Sequence, residues 1–515
     1  MKKIYLVLIA FAITFSGCKK YFDINTDPAT PQDPESKTLT PPLFAQMERG
    51  IQFDARYVGG TIQYFGGANN VGESHGWIVG SDANGEIWRT NYYGLGANLN
   101  LIISDSEAKQ EWNYVGLAQA LKAWSWQTTT DYHGDIILKQ AYEPNRFIFD
   151  YDPQPEVYAE VVRLANESIK NFSRTDGTGT PAKMVGYDLA YNGDAAKWIK
   201  FNYGVLARNA SNLINKASYD PAKVIEYVDK SLASNADNFL VPNTGSTAAN
   251  GNFFGPLRAN LNGYRQTRII VGLLDGTYFT GTAGTVIDPR RNNMITVSAD
   301  GVFRGTAPNS ADGGTVALKN QIPNMYGVLG GVNPGPGLGK YLFKDNANFP
   351  IMTYAEMQFI KAEAAFRANN LPLALTAYQN GISASIDFVS ALGTVITPAE
   401  KTAYMTSASV KQTSATLTLK DIMLQKYLAL YGYGFVETWS DLRKYNYNVG
   451  DTKGNNPYLN TFIFPSSFFS DNGGKPAQRV RPRYNSEYLW NTAALKVIGA
   501  DRVDYHTVKM WFTEP

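Results

Sequence analysis

The chain has 515 residues, of which 44% are hydrophobic, 13% aromatic and 18% charged, a composition that builds a folded body and excludes a disordered or fibrous one. One cysteine and three widely spaced histidines exclude an internal disulfide and a tetrahedral Cys/His zinc cage. The formal net charge of +2 has to be divided between the N-terminal segment and the rest.

Lys2 and Lys3 precede an apolar run over residues 4–15 that ends in Ser16-Gly17-Cys18. Residues 1–17 therefore read as a signal peptide, since the run is too short to span a bilayer and closes on small residues. The placement of the lone Cys18 resembles a bacterial lipobox, with Phe15 where Leu is usual, and makes Cys18 the expected lipid attachment point. Cleavage there removes Lys2 and Lys3 from the 47 Lys+Arg and leaves 45 against 45 Asp+Glu, so nucleic-acid binding through bulk charge loses its support. Acyl chains contribute about 0.8 kcal/mol per buried CH₂, and a body held in this way needs no spanning helix. Residues 18–42, with Pro28, Pro31, Pro34, Pro41 and Pro42, read as an extended tether.

Residues 43–515 read as one helical body. Apolar residues recur at helical spacing over 107–132 (Leu117, Leu121, Trp124), 155–172, 194–217 (Ile199, Leu206, Leu213) and 221–234. Trp88, Tyr92, Leu95 and Leu99 share that spacing and are assigned to a helix core. Thr353 and Glu356 form a capping box with Met352 and Met357 as its staple. Two apolar stripes, Tyr354 to Ala364 and Leu371 to Ile382, flank the break at Asn369-Asn370, and Ala362, Ala365, Ala374 and Ala377 permit close approach, as in tetratricopeptide helix pairs. A further helix runs over 418–431. Between the helices lie Gly-, Asn- and aromatic-rich stretches at 59–85, 242–263, 276–339 and 451–482, long enough to be functional. The expected fold class is mainly α: a tetratricopeptide-like repeat scaffold with a large irregular face.

The enzymatic motifs fail on context. Gly72-Glu73-Ser74-His75-Gly76, with His506 further on, fits a nucleophile elbow but lacks the strand before it and the helix after it. Gly335 to Lys340 resembles a phosphate loop with Pro334 and Tyr341 at two essential positions. Asp131 and Asp135 around His133 suit a hydrogen-bond network better than a metal, and Glu437 and Asp441 are expected to pair with Arg443. No catalytic residue, metal ligand or cofactor is assigned.

Several segments in a fixed order carry a resemblance. They are Tyr21-Phe22-Asp23-Ile24-Asn25-Thr26-Asp27-Pro28; Ala120-Leu121-Lys122-Ala123-Trp124 with Tyr132-His133-Gly134-Asp135-Ile136; Lys197-Trp198-Ile199-Lys200-Phe201-Asn202; and Met352-Thr353-Tyr354-Ala355-Glu356. Gln425 to Leu430, Glu437 to Arg443, and Pro482-Arg483-Tyr484 with Glu487 and Asn491 complete the series. In this order the chain resembles the SusD/RagB family of nutrient-binding surface lipoproteins, and its second SusD-like subfamily in particular; Asn485 departs from the Pro often found there. The resemblance implies an outer-membrane, lipid-anchored, surface-exposed protein without catalysis. Its implied partners are a SusC-like TonB-dependent transporter and an oligosaccharide, or sometimes a peptide, as ligand. A surface glycoside hydrolase and a protein-binding repeat scaffold are the alternatives.

A sugar site needs aromatic faces and convergent polar groups. Trp77, in a Gly-rich loop with Asn69, Asn70 and His75, is the expected platform. Phe254, Arg265 and Tyr326 are added because loops in those regions carry ligand contacts in the family.

Overall fold

The computed structural model describes residues 35–67, 70–310, 317, 320–329 and 335–515. Cys18, the signal peptide and residues 18–34 of the tether lie outside them, as does Asn69; Asn70 opens a short helix, Asn70–Glu73. Helix α1 spans Ser36–Thr61 and contains Pro41 and Pro42 near its start. The extended chain expected as far as residue 42 therefore stops by Glu35, because proline in the opening turns of a helix forfeits few bonds.

The scaffold is a succession of neighbouring helices: α2 (Ala97–Ala108), α3 (Trp112–His133), α4 (Gln154–Phe172), α5 (Ala195–Ser211) and α6 (Pro221–Lys230). Each of these packs on the next in the chain, and α3 also touches α5. A two-stranded antiparallel sheet, β1 (Phe239–Val241) with β2 (Phe349–Met352), pairs Val241 with Phe349 and was not visible in the periodicity. Then follow α7 (Tyr354–Arg367) and α8 (Leu371–Leu392), joined by three residues and packed face to face with Ala362, Ala365, Ala374 and Ala377 fully buried. Helices α9 (Pro398–Met405), α10 (Leu419–Ala429) and α11 (Phe435–Lys444) close the body. The helix expected over 107–132 begins at Trp112, after a break at Lys109 to Glu111.

Only half of the capping box at α7 forms. Thr353 accepts from the Glu356 N–H at 3.3 Å, but the Glu356 carboxylate is held by Arg208. Complete boxes lie instead at Thr397/Glu400 and Thr418/Asp421. The staple holds: a Cβ on Gly204 would meet Met352 Sδ at 2.2 Å and Met357 Sδ at 3.4 Å, so both sulfurs lie over that glycine of α5.

Buried charge fastens the helices to one another. Arg208 of α5 donates to both oxygens of Glu356 at 2.6 and 2.7 Å and reaches Glu437 of α11 at 3.0 Å. Lys426 of α10 lies 2.8 Å from Asp441, and Lys444 lies 2.9 Å from Asp441 and 3.2 Å from Glu363. Glu437 and Asp441 thus pair with Arg208 and with the two lysines, not with Arg443. Arg443 donates instead to the carbonyls of Asp131 at 2.7 Å and Gln478 at 2.8 Å. Without a bonded carboxylate, burial lowers its pKa to about 10. Asp131 accepts from Tyr158 Oη, Gln127 and Asn212, the hydrogen-bond network expected around His133.

All three histidines are buried, and each holds the C-terminal segment. His75 Nδ1 accepts the Ala477 N–H at 3.2 Å, and His506 Nε2 donates to Asn472 Oδ1 at 2.8 Å. His133 Nδ1 faces the carbonyls of Val480 and Arg481, both at 3.1 Å, and so carries the proton. Burial depresses their pKa values to about 3, about 4 and about 3 for His75, His506 and His133.

Two outcomes are expected. Arg208→Met strips Glu356 and Glu437 of their cation and lowers unfolding free energy by about 3–5 kcal/mol, read as a fall in the urea midpoint. For His133 the folded pKa lies below the unfolded one, so its contribution is complete above about pH 6.5 and is lost as pH falls toward 3. Between pH 7.5 and 5.0 wild type should lose about 2 kcal/mol more than His133→Gln; equal losses in denaturant titrations would refute the assignment.

Candidate functional site

A cleft of about 430 Å³ opens between three stretches distant in sequence. The first is the short helix Glu86–Arg89 followed by a π-helical turn, Thr90–Gly96. Asp54 of α1 starts it by accepting the N–H groups of Glu86 at 3.1 Å and Ile87 at 2.8 Å, although burial pushes that carboxyl up to about 8. The widened turn makes room for Tyr142: its Oη donates to the Asn91 carbonyl at 2.9 Å, and a Cβ on Gly96 would lie only 1.7 Å from that oxygen. π-Turns gather at functional sites because they re-aim side chains. Here Trp88, Tyr92 and Tyr93 all line the cleft, and Tyr93 is 73% exposed. The assignment of Trp88 and Tyr92 to the core is thus corrected in part: Trp88 is buried among Tyr92, His133 and Tyr151, yet both rings form the cleft floor.

The second wall is the strap that follows α3, contributing Ile137, Ala141, Tyr142 and Phe149. Its base is clasped by Asp152, which accepts the N–H groups of Leu138 and Lys139, both at 2.9 Å. Its far end is held by Asn491, which accepts the Phe149 N–H and donates to the Phe149 carbonyl. Tyr142 has φ 69°, a left-handed conformation that costs an aromatic residue about 1–3 kcal/mol and is offset by its bond to Asn91 and its ring packing against Tyr92 and Trp126.

The third wall is Arg483, Ser486 and Glu487. Arg483 is ion-paired to Asp82, and Asn485 adds its backbone N–H and its side-chain amide to the same carboxylate at 3.0 and 2.7 Å. A proline at 485 could make neither bond, so the departure from the family pattern reinforces this corner. Glu487 accepts from Tyr151 Oη at 2.7 Å and from Asn491 at 2.9 Å. Ser486 Oγ is buried without a protein partner. The cleft thus offers five aromatic rings, the ion-paired guanidinium groups of Arg89 and Arg483, and the Ser486 hydroxyl, which has no protein partner. Glu487 is the one carboxylate in its lining, whereas glycoside hydrolysis uses two.

Of the described residues expected from sequence, Trp77, His75, Phe254, Arg265 and Tyr326 do not line this cleft. Trp77 is 8% exposed, with the Arg481 guanidinium 4.4 Å from its ring centre and Tyr488 packed at 5.5 Å, so the platform expected of it is already covered. His75 is enclosed by Tyr447, Phe464 and Phe468. Phe254 is fully buried among Phe65, Phe343, Phe349 and Phe435. Tyr326 is buried and its Oη accepts the Leu261 N–H at 2.9 Å. Arg265 is half-buried in bridges to Gly66 and Asn324 and donates to nearby carbonyls. In this structure these side chains are engaged in packing and loop closure. Tyr93, Tyr142, Phe149, Arg483 and Ser486 were missed; the signal lay in Tyr92-Tyr93-Gly94-Leu95-Gly96, where two glycines interrupt a helical pattern.

Around Ser74 the nucleophile-elbow context is absent, since a short helix, Asn70–Glu73, precedes it and His506 bonds Asn472. Among the described residues no group of three or more His, Cys, Asp or Glu could hold a metal, and no helix is long and apolar enough to cross a membrane.

Comparison with known proteins accords with this architecture. A SusD/RagB family protein from Bacteroides thetaiotaomicron shares 21% identity at TM-score 0.67, covering 93% of this chain and 99% of its own. A chitin-binding SusD homolog from Flavobacterium johnsoniae shares 18% at TM-score 0.68, covering 93% and 98%, and a further chitin-binding protein shares 20% at 0.69, covering 93% and 99%. No curated protein sequence matches the chain. The SusD-like family described as "Starch-binding associating with outer membrane" matches residues 28–465, and the chain belongs to that family.

Proposed function

We propose that this protein is a lipid-anchored, cell-surface oligosaccharide-binding protein that captures glycans and delivers them to a SusC-like TonB-dependent transporter. The observation that carries the reading is the aromatic cleft with Ser486 Oγ unsatisfied at its edge. Ring faces take the apolar side of a sugar, while hydroxyl and guanidinium groups take its hydroxyls. Family membership supports the ligand class, because the family is described as starch-binding and two of the similar structures are of chitin-binding proteins. A binding role without hydrolysis fits the single carboxylate in the cleft lining.

Calorimetry against a panel of neutral oligosaccharides should give a ligand whose affinity falls about 5- to 150-fold in Tyr93→Ala, the range for losing one stacked ring, with an unchanged unfolding midpoint. No reducing ends should appear on incubation. Trp77→Ala is expected to do the opposite, lowering stability by about 3 kcal/mol while the folded fraction binds normally. Loss of affinity in Trp77→Ala alone would move the site out of the cleft.

For the anchor, Cys18→Ala should shift the protein from the membrane fraction to the soluble fraction. Tagged wild type solubilised in mild detergent should carry a TonB-dependent transporter with it. Retention of the variant in membranes, or purification free of any transporter, would refute the corresponding half of the reading.

A further inference from the structure

Across the strap lies a second cleft of about 560 Å³, which shares Ala141 and Tyr142 with the first. Its floor is α3, through Lys122 and Trp126, one turn apart on one helix face. Most of the charges around it are matched. Arg163 donates to both oxygens of Glu160 at 2.7 Å, and Lys139 pairs with Glu156 and, at 3.5 Å, with Asp152.

Lys122 is the exception. Among the described residues its Nζ meets no carboxylate: it donates to Asn100 Oδ1 at 2.7 Å and stands 6.0 Å from the centre of the Tyr142 ring. An ammonium has three donors; burial disfavours its charge more than nearby Glu160 favours it, and Arg163 opposes it further, so its pKa is lowered, chiefly by desolvation. Beside it Trp126 is 2% exposed, and its indole N–H has no acceptor in the protein. A buried N–H left unmatched is rare and calls for a partner. A cation with no carboxylate in contact and a buried donor without an acceptor therefore belong to neighbouring residues of one cleft lining, next to a cleft suited to sugar rings.

We propose that this second cleft is a subsite for an acidic sugar residue, whose carboxylate or sulfate accepts hydrogen bonds from Lys122 Nζ and Trp126 Nε1. It extends the proposed glycan reading: the oligosaccharide would pass over Tyr142 from the first cleft into the second. The occupant is anionic because a neutral hydroxyl would leave the lysine with no anionic group in contact, and charge-assisted bonds are roughly twice as strong as neutral ones.

The test has two arms. Protein labelled with fluorotryptophan is titrated with millimolar glucuronate, a sulfated glucose, and glucose, and the Trp126 fluorine resonance is assigned by its loss in Trp126→Phe. The Trp126 resonance should move with at least one acidic sugar and not with glucose, and the response should vanish in Lys122→Gln. In the second arm, calorimetry compares a uronic-acid oligosaccharide with its carboxyl-reduced form. Wild type should prefer the acidic form about tenfold, near 1.4 kcal/mol, and Lys122→Gln should lose that preference while keeping its affinity for the neutral form. No shift with either acid, an equal shift with glucose, or a preference that survives Lys122→Gln would overturn the subsite. A Trp126 shift with an acidic sugar in a protein that binds no neutral oligosaccharide would overturn the first-cleft reading instead.

Discussion

The structure depends on a lattice of buried charges between α5, α7, α10 and α11. Taking Arg208, Lys426, Lys444, Glu356, Glu363, Glu437 and Asp441 out of water is costly, and only close reciprocal pairing offsets it. Lys444 touches both Asp441 and Glu363 with its side chain fully buried, so it holds α11 against α7 at one spacing and in one register. A purely apolar packing of these helices could slide by a turn; a bidentate pair such as Arg208 with Glu356 cannot, since a shift of a few ångströms leaves two ions unmatched. The desolvation cost thereby becomes positional specificity.

That specificity is passed outward through Arg443. Its guanidinium, on α11, binds the Asp131 carbonyl near the end of α3 and the Gln478 carbonyl of the C-terminal segment. His133, two residues further along α3, then holds Val480 and Arg481. From there the chain reaches Arg483, Ser486 and Glu487, one wall of the cleft, and Glu487 with Asn491 secures the strap that forms another. The edge of the His133 ring also packs on Trp88, the cleft floor. Core electrostatics and the candidate site are thus connected by a few explicit contacts.

The scaffold was legible in sequence where periodicity is strong. The α7–α8 pair follows from its apolar stripes, its Asn369-Asn370 break and its alanines, because helix packing is a local pattern repeated. The family segments were legible too, but their roles were not: Glu437, Asp441 and Arg443 look like partners on one helix, whereas apart from contacts within that helix, such as the Asp441–Lys444 pair, their charged and carbonyl partners come from α5, α10, α3 and residue 478. The candidate site was least legible. Trp77 sits among glycines and so looked free, yet Arg481, more than 400 residues away, covers its ring. Tyr92 fits an α-helical period, but a π-turn made possible by Gly96 re-aims it and exposes Tyr93. Long-range burial and local changes of helical pitch are the two things that a one-dimensional pattern does not encode.

The strap carries the largest consequence of these details. It is clasped at its base by Asp152 and at its end by Asn491, and between them Tyr142, which with Asn145 has a left-handed backbone, is drawn against the π-turn by a single bond to Asn91. Its ring is at once the far wall of the first cleft and the near wall of the second. A methyl group at position 96 would collide with that ring's hydroxyl, and the strap would have to lift away from both clefts together. The width of both clefts is therefore set at one glycine outside the buried charge lattice, which leaves the helical frame able to stay constant while the binding surface varies.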